Sequence, residues 1–362
     1  MKGRSIVLNA APRHAALVVD GVVEDLLLEP PDTHRTPMPG EIWPARLDRQ
    51  VLGAAFLDLG QGHEGYLRDV RGVKGQSSMV VQVSSVAEPG KAIPVDRRLL
   101  IKGRNLILTP GAPGVNVSRR IRDPEERDRL VAALPDPGDA CGIIVRSAAR
   151  EVPEAVLLAE YRGLQERYTQ FETLTDPIER HAPWTYALRE WSDPLPDIIA
   201  VTDASAREAA SDPVLLVDED LMDCLEPDDG DPFDYFGIWD EIERLKSPRV
   251  NLPSGGWMAI ETTRAMVTVD VNTGDQFSGG AGMTANVEAA RELPRQLRLR
   301  GLGGQVIIDF APMKKQHRKK IDETLKSAFR KDSIETSLAG WTPLGNFELQ
   351  RKRERRPFTE SL

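Results

Sequence analysis

Cysteines, long apolar runs and several familiar catalytic motifs are scarce or missing in this sequence. The two cysteines, Cys141 and Cys224, among 362 residues exclude a disulfide framework and a four-cysteine zinc site. No apolar run reaches the roughly 18 residues of a membrane span, and the segment after Met1 turns polar too early for a signal peptide. The five histidines show no zinc-hydrolase spacing, and the sequence has no Walker loop or GxSxG turn. We therefore expect a cytoplasmic protein without a membrane span.

Charge is unevenly distributed along a chain of otherwise ordinary composition. Hydrophobic residues make up 40% and charged residues 28%, as in soluble proteins, and the length suggests two or three domains. The net charge of −9, taken alone, argues against nucleic-acid binding. However, residues 218–243 contain twelve acidic and no basic residues, whereas residues 291–356 contain seventeen Lys or Arg against eight Asp or Glu. We expect the acidic block to form a solvated loop.

The first hundred residues are typical of β-structure. Apolar segments at residues 5–8 and 15–19, followed by the turn signal Asp20-Gly21, predict a β-hairpin. Short strands separated by glycine turns then follow between residues 41 and 100, a pattern that favours a small barrel of the OB type. Farther along, residues 153–180 predict a long helix.

The last part of the chain predicts a parallel strand–helix–strand unit. An apolar strand at residues 265–271 leads into a glycine-rich loop at 274–282 and a helix at 284–300. A second buried strand follows at residues 305–310. A strand, a crossover helix and a second strand in this order indicate two parallel strands in one sheet.

Two carboxylates stand at the ends of these strands, where ligand sites of α/β folds gather. Asp270 and Asp309 would repel each other at one sheet edge unless a cation lay between them. Oxygen ligands favour Mg²⁺ or Mn²⁺, and Asn272 adds a neutral amide on the same face. An Asp at a strand end is, however, more often a turn or cap residue than a metal ligand.

Candidate nucleic-acid contacts lie in two regions. Basic residues flank Asp309 on both sides, at positions 291, 295, 298, 300, 314, 315, 318, 319 and 320, and they fit either a polyanion site or solvated helix faces. In the barrel-like segment, Phe56 and Tyr66 are candidates for stacking on bases, with Lys91 as a phosphate contact. The alternative for Phe56 is a place in the core.

Four motifs together closely resemble the catalytic half of the ribonuclease E/G family, in the same order and at similar spacing. They are Val250-Asn251-Leu252-Pro253-Ser254-Gly255-Gly256, Val269-Asp270-Val271-Asn272-Thr273, residues 295–304 (RQLRLRGLGG) and Ile307-Ile308-Asp309-Phe310. A weaker resemblance covers most of the remaining chain.

The family resemblance implies an α/β multidomain fold. An S1-type OB barrel (residues 38–98) would be inserted in an RNase H-like domain (1–34 and 192–246). A 5′-sensor-like region (99–191) and a DNase I-like catalytic domain (247–362) would follow.

The resemblance also implies a Mg²⁺-dependent endoribonuclease specific for single-stranded RNA, acting in RNA processing or decay or in rRNA maturation. Asp270 and Asp309 match the metal-binding aspartates and Asn272 the catalytic asparagine. The positions at which the family's OB domain contacts RNA correspond to Phe56, Tyr66 and Lys91. The family's pocket for a 5′-monophosphate corresponds to Gly103, Ile107, Arg146 and Ser147. We hypothesise that the metal activates a water for in-line attack, which leaves 5′-phosphate and 3′-hydroxyl ends.

Two departures from the family pattern bear on assembly and specificity. The cysteines of the zinc link are absent from this sequence, so we expect no structural zinc, and a homodimer would form without one. Glu335 aligns with a sensor arginine of the family, and a carboxylate there would repel a 5′-phosphate. The alternative to the enzyme is an RNA-binding or regulatory protein of the same fold with weak or lost cleavage. A general Mg²⁺ phosphoesterase is disfavoured by the OB-like segment.

Overall fold

The chain forms two compact units. The computed structural model describes residues 2–29, 36–70, 78–88, 90–171, 183–227, 230–275 and 280–360. One unit comprises Met1–Gly21 with Asp32–Pro232, and the other comprises Val22–Pro31 with Phe233–Leu362. Below, they are called the first unit and the second unit. Among the helices of the described ranges, none combines the length and the apolarity that crossing a bilayer requires.

Strands run through both units. In chain order they are β1 (Arg4–Ala10), β2 (Arg13–Val19), β3 (Val22–Leu27), β4 (Ile42–Val51), β5 (Ala54–Asp58), β6 (Glu64–Leu67), β7 (Ser78–Val83), β8 (Ile93–Asp96), β9 (Ile101–Lys102), β10 (Leu106–Pro110), β11 (Gly114–Val117), β12 (Cys141–Val145), β13 (Ile198–Val201), β14 (Leu225–Pro227), β15 (Arg249–Asn251), β16 (Trp257–Thr262), β17 (Val267–Asn272), β18 (Gly304–Asp309), β19 (Thr336–Trp341) and β20 (Phe347–Arg351).

Helices connect and cover these strands. They are α1 (Pro124–Ala132), α2 (Glu154–Gln170), α3 (Pro183–Trp191), α4 (Ala204–Val217), α5 (Pro232–Tyr235), α6 (Ile238–Leu245), α7 (Ala281–Leu299) and α8 (Arg318–Lys331). Helix α2 confirms the first part of the predicted helix 153–180, of which residues 172–180 lie outside the described residues. Of the predicted glycine-rich loop 274–282, residues 276–279 also lie outside them.

A closed barrel and two sheets organise the first unit. The barrel has the strand order β4-β5-β6-β8-β7 and confirms the prediction of a small barrel consistent with an OB fold. The predicted hairpin is also confirmed, because β1 and β2 pair antiparallel, and β1 pairs parallel with β13 on its other edge. Strands β11, β12, β10 and β9 form a separate sheet, and Leu157 and Leu164 of α2 belong to its core.

The second unit is a mixed sheet covered on one face by helices. Its strands lie in the order β15-β16-β17-β18-β20-β19, with β17 and β18 parallel as predicted and α7 between them in the chain. Alternate residues of β17, such as Val269 and Val271, are buried against Ala289 and Leu293 of α7 and Ile321 of α8. This alternation leaves the other face of β17 open to solvent.

The prediction that the acidic block forms a loop is wrong. Residues Glu219–Cys224 form a 3₁₀-helix, and β14, α5 and α6 follow within the same block. Glu241 of α6 is buried and pairs with Arg295 of α7 at 2.9 Å. Helix α6 supplies four buried positions on one face, so apolar spacing determines the structure here despite the acidic composition.

Candidate active site

Asp270, two residues before the end of β17, and Asp309, the last residue of the parallel strand β18, are direct register partners. Neighbouring strands lie about 4.8 Å apart, so the two carboxylates project from adjacent positions on the same face of the sheet. Both residues are exposed on the face that the helices do not cover. The predicted juxtaposition of these two carboxylates is therefore present.

Asn272 contacts the first carboxylate directly. Its Nδ2 donates a hydrogen bond of 2.7 Å to Oδ2 of Asp270. Because Asn272 lies two residues beyond Asp270 on β17, it shares the solvent-facing side of the strand. The amide fixes one oxygen of Asp270, and among the described residues no donor occupies its own carbonyl oxygen.

Close backbone packing holds the end of β17 in place. A Cβ at Gly256 would lie 2.7 Å from the carbonyl oxygen of Asn272, and a Cβ at Gly274 would lie 2.6 Å from the carbonyl oxygen of Gly255. The φ of Gly274 is +62°, a conformation that side chains disfavour. The glycines of the first motif are thus needed because their loop packs directly on the backbone of Asn272.

A buried side chain of α7 fixes the segment after Asp309. Asn286 is fully buried, its Nδ2 donates to the carbonyl of Ala311 at 2.9 Å, and its Oδ1 accepts from the amide of Ala311 at 2.9 Å. Both backbone groups of Ala311 are therefore satisfied by one side chain. This contact ties the end of β18 to the helix and limits movement of Asp309.

The donor set fits a hard divalent cation that keeps much of its water. Two carboxylates and an amide oxygen are oxygen ligands, and Mg²⁺ is typically bound through one or two carboxylates with waters completing the shell. In the described ranges, no group of three or more His, Cys, Asp or Glu side chains could share a metal ion.

The arginines that precede Asp309 are mostly paired inside the second unit, so they fit neither of the two predicted alternatives, a polyanion site or solvated helix faces. Arg298 donates to Asp332 at 2.7 Å and to the carbonyl of Glu24 at 2.7 Å, and Arg300 is buried and donates to Leu245. Arg295 pairs with Glu292 and Glu241. By contrast, the lysines at 314 and 315 that follow Asp309 are exposed.

The candidate stacking residues lie side by side on the outside of the barrel. Phe56 of β5 pairs directly with Tyr66 of β6, and their ring centroids are 5.4 Å apart. Phe56 is half-buried between the core residues Ala55 and Leu57, so it does not belong to the barrel core. The guanidinium of Arg49 lies 4.0 Å from the Phe56 centroid. Lys91 is exposed and pairs with Glu88.

Three of the four residues predicted for the 5′-phosphate pocket come together. Arg146 donates to the carbonyl oxygen of Gly103 at 2.8 Å and to Glu190 at 2.6 Å. Ser147 donates to Asp193 at 3.0 Å. The fourth, Ile107, lies on β10 and pairs with Lys102, the residue before Gly103.

Sequence reasoning missed the two carboxylates that occupy this cluster. Burial acts to raise the pKa of Glu190, but Arg146 and the neighbouring cations outweigh it and lower that pKa to about 2. Glu190 is therefore an anion at neutral pH and already satisfies Arg146. No local sequence pattern predicts the pairing of Arg146 with Glu190, because 44 residues separate them.

Comparisons with known proteins agree with the motifs. The chain matches the family model described as Ribonuclease E/G family over residues 100–354. It is 30% identical to Ribonuclease G of Salmonella typhimurium over 97% of this chain and 80% of that protein, and Ribonuclease G of Escherichia coli gives the same values. It is also 32% identical to Ribonuclease E of Synechocystis sp. over 77% of this chain and 44% of that protein.

Proposed function

Because this chain belongs to the ribonuclease E/G family, we propose that it is an endoribonuclease that uses Mg²⁺, or Mn²⁺, to cleave single-stranded RNA. The observation that carries this proposal is the register pairing of Asp270 with Asp309, with Asn272 bonded to the first of them. The relatives named Ribonuclease G and Ribonuclease E support the endonuclease chemistry.

Each residue of the site has a separate role in this proposal. Asp270 and Asp309 would hold the metal, and their exposure on the open sheet face would admit an RNA strand. The chemistry that a divalent ion would supply there is charge neutralisation at the scissile phosphate and a water of lowered pKa. Asn272 fixes Asp270 and would orient the phosphate through its amide oxygen. Hydrolysis in this way leaves 5′-phosphate and 3′-hydroxyl ends.

The first unit would bind the substrate. Phe56 and Tyr66 offer two adjacent aromatic faces for unpaired bases, and Lys91 adds a cation for the backbone. In this assignment the barrel is an S1-type domain within an RNase H-like domain, and the second unit contains a DNase I-like catalytic domain. Gly103, Ile107, Arg146 and Ser147 would face a 5′-end. We assign the activity to RNA processing or decay, or to rRNA maturation, in the cytoplasm.

Cleavage of a short single-stranded RNA in Mg²⁺ or EDTA tests the proposal. We expect cleavage in Mg²⁺ and none in EDTA. The products should carry a 5′-phosphate, and the same sequence in a duplex should not be cleaved. The Asp270→Asn variant is the matched control for a contaminating nuclease. Binding without cleavage by the unsubstituted protein would instead establish an RNA-binding protein of the same fold.

A further inference from the structure

An aromatic side chain lies beside the carboxylates on the open face of the sheet. Trp257 of β16 is the direct register partner of Asn272, and Ala259 is the partner of Asp270. Residues directly opposite on antiparallel strands have Cβ atoms about 5 Å apart. The indole of Trp257 is therefore one strand away from the site and on the same face.

The indole of Trp257 does not serve the hydrophobic core. Trp257 is half-buried, and it is absent from the set of side chains that pack against the core of the second unit in the described ranges. Trp341 offers the contrast, because it packs on that core and its Nε1 donates to Asp322 at 2.7 Å. Large aromatic surface left outside a core is a common feature of binding sites.

A cation is held over this indole. The guanidinium carbon of Arg249 lies 4.7 Å from the centroid of Trp257, and its Nε donates to Oδ1 of Asn251 at 3.1 Å. Asn251 is the register partner of Trp257, so the arginine is anchored on the same face. Within the described part of the chain no carboxylate pairs with Arg249, which leaves its charge available to a phosphate.

We propose that Trp257 and Arg249 form a stacking position for one base of single-stranded RNA immediately beside the phosphate that is cut. The inference rests on the proposed function, since the carboxylates define the scissile phosphate. A planar indole and a planar guanidinium both stack on bases regardless of sequence, and Arg249 offsets the negative charge of Asp270 and Asp309. The position would hold the strand in register with the metal ligands.

Binding in a cleavage-deficient Asp270→Asn background tests this proposal. We expect Trp257→Ala to weaken binding of a short single-stranded RNA about 5- to 100-fold, as for other base–aromatic contacts. Trp257→Phe should keep most of the affinity. Arg249→Gln should weaken binding and lower its salt dependence, whereas Arg264→Gln, an exposed arginine at the other end of β16, should change neither.

RNAs with a single abasic nucleotide separate stacking from a structural role. At one position of the RNA, removal of the base should weaken binding to the protein with Trp257 but not weaken it further in Trp257→Ala. In an RNA that the unsubstituted protein cleaves, this position should adjoin the cleaved bond. The stacking position would be overturned in either of two cases. In one, the affinity lost by base removal adds to that lost by Trp257→Ala at every position of the RNA. In the other, Trp257→Ala binds RNA as tightly as the protein with Trp257. Absence of cleavage by the unsubstituted protein would overturn the proposed function alone, because the abasic measurement needs no cleavage.

Discussion

Asp270 and Asp309 are direct register partners on parallel strands, and Asn272 donates to the first of them at 2.7 Å. Two like charges at adjacent positions of an exposed sheet face repel each other, so their pairing calls for a cation. Replacing either carboxylate removes one of the two proposed anionic ligands while leaving the hydrophobic side of both strands intact.

We expect Asp270→Asn and Asp309→Asn each to lower the cleavage rate about 1000-fold, because a bound metal supplies several kcal/mol to the transition state. RNA affinity should change less than about threefold. Glu261→Gln is the matched control, since Glu261 is an exposed carboxylate on the same face of β16. Rates measured under single-turnover conditions check the prediction, and full activity of either variant would remove that residue from the site.

The cleavage rate should depend only weakly on whether the RNA carries a 5′-phosphate. Arg146 is already bonded to the ionised Glu190, so a 5′-phosphate must compete with an internal carboxylate for the same guanidinium. We expect less than about a tenfold rate difference between 5′-monophosphate and 5′-hydroxyl RNA, and Glu190→Gln should enlarge it. Glu126→Gln, which disturbs another arginine–glutamate pair, is the control. A strong monophosphate preference of the unsubstituted protein would contradict this prediction.

RNA binding by the barrel should combine stacking with a modest electrostatic component. Phe56→Ala should weaken binding about 5- to 100-fold with little change in salt dependence. Lys91→Gln should lower the slope of log affinity against log salt by about 0.7, the value for one phosphate contact on a single strand. Lys246→Gln provides a control cation that is likewise paired with a glutamate on the surface. Affinity independent of salt would contradict the Lys91 assignment, and unchanged affinity of Phe56→Ala would contradict stacking on Phe56.

The buried pair of Asp332 and Arg351 should dominate the stability of the second unit. Both side chains are fully buried, and Asp332 also accepts from Arg298 at 2.7 Å. Asp332→Ala should destabilise folding by about 3–5 kcal/mol, because it leaves buried cations without their anion. Glu243→Gln removes one partner of an exposed pair with Lys246 and should lower the free energy of unfolding by less than about 1 kcal/mol. Urea unfolding of the two variants measures this difference.

Acid should weaken the first unit through His14. Burial lowers the pKa of His14 from 6.5 to about 4, so between these values the unfolded chain binds a proton that the folded chain does not. Stability should therefore fall as the pH falls from 6.5 to 4, by up to about 3 kcal/mol. In His14→Gln this dependence should flatten, whereas His317→Gln should retain it. Thermal unfolding across this pH range would contradict the assignment if both variants kept the same slope.

Local patterns predicted what depends on local order. The barrel strands, the parallel pair β17 and β18 and the neighbouring positions of Asp270 and Asp309 all follow from apolar spacing and turn residues. Patterns do not predict which arginines are buried. Arg295 and Arg298 lie in a basic stretch of sequence, yet their partners include Val23 and Glu24, more than 270 residues earlier.

The same limit applies to Trp257. In sequence it is one apolar residue in a strand, and its neighbours Met258 and Ile260 are core residues. Its solvent-facing position follows only from the register against β17, and its contact with Arg249 only from the register against β15. The acidic composition of residues 218–243 also failed to predict the structure. This block forms helices, and one of them places Glu241 in the interior of the second unit.

The discontinuity of the second unit imposes an order on its folding during synthesis. Arg355 donates to Asp25 at 2.8 Å across 330 residues, and β3 contributes acceptors to Arg295 and Arg298. At about 5–20 residues per second, β3 leaves the ribosome roughly 15 to 70 s before Arg355 is made. During that interval Asp25 has no Arg355 to neutralise it. A fragment that begins at residue 233 would lack this segment altogether and would bury Arg355 without its carboxylate.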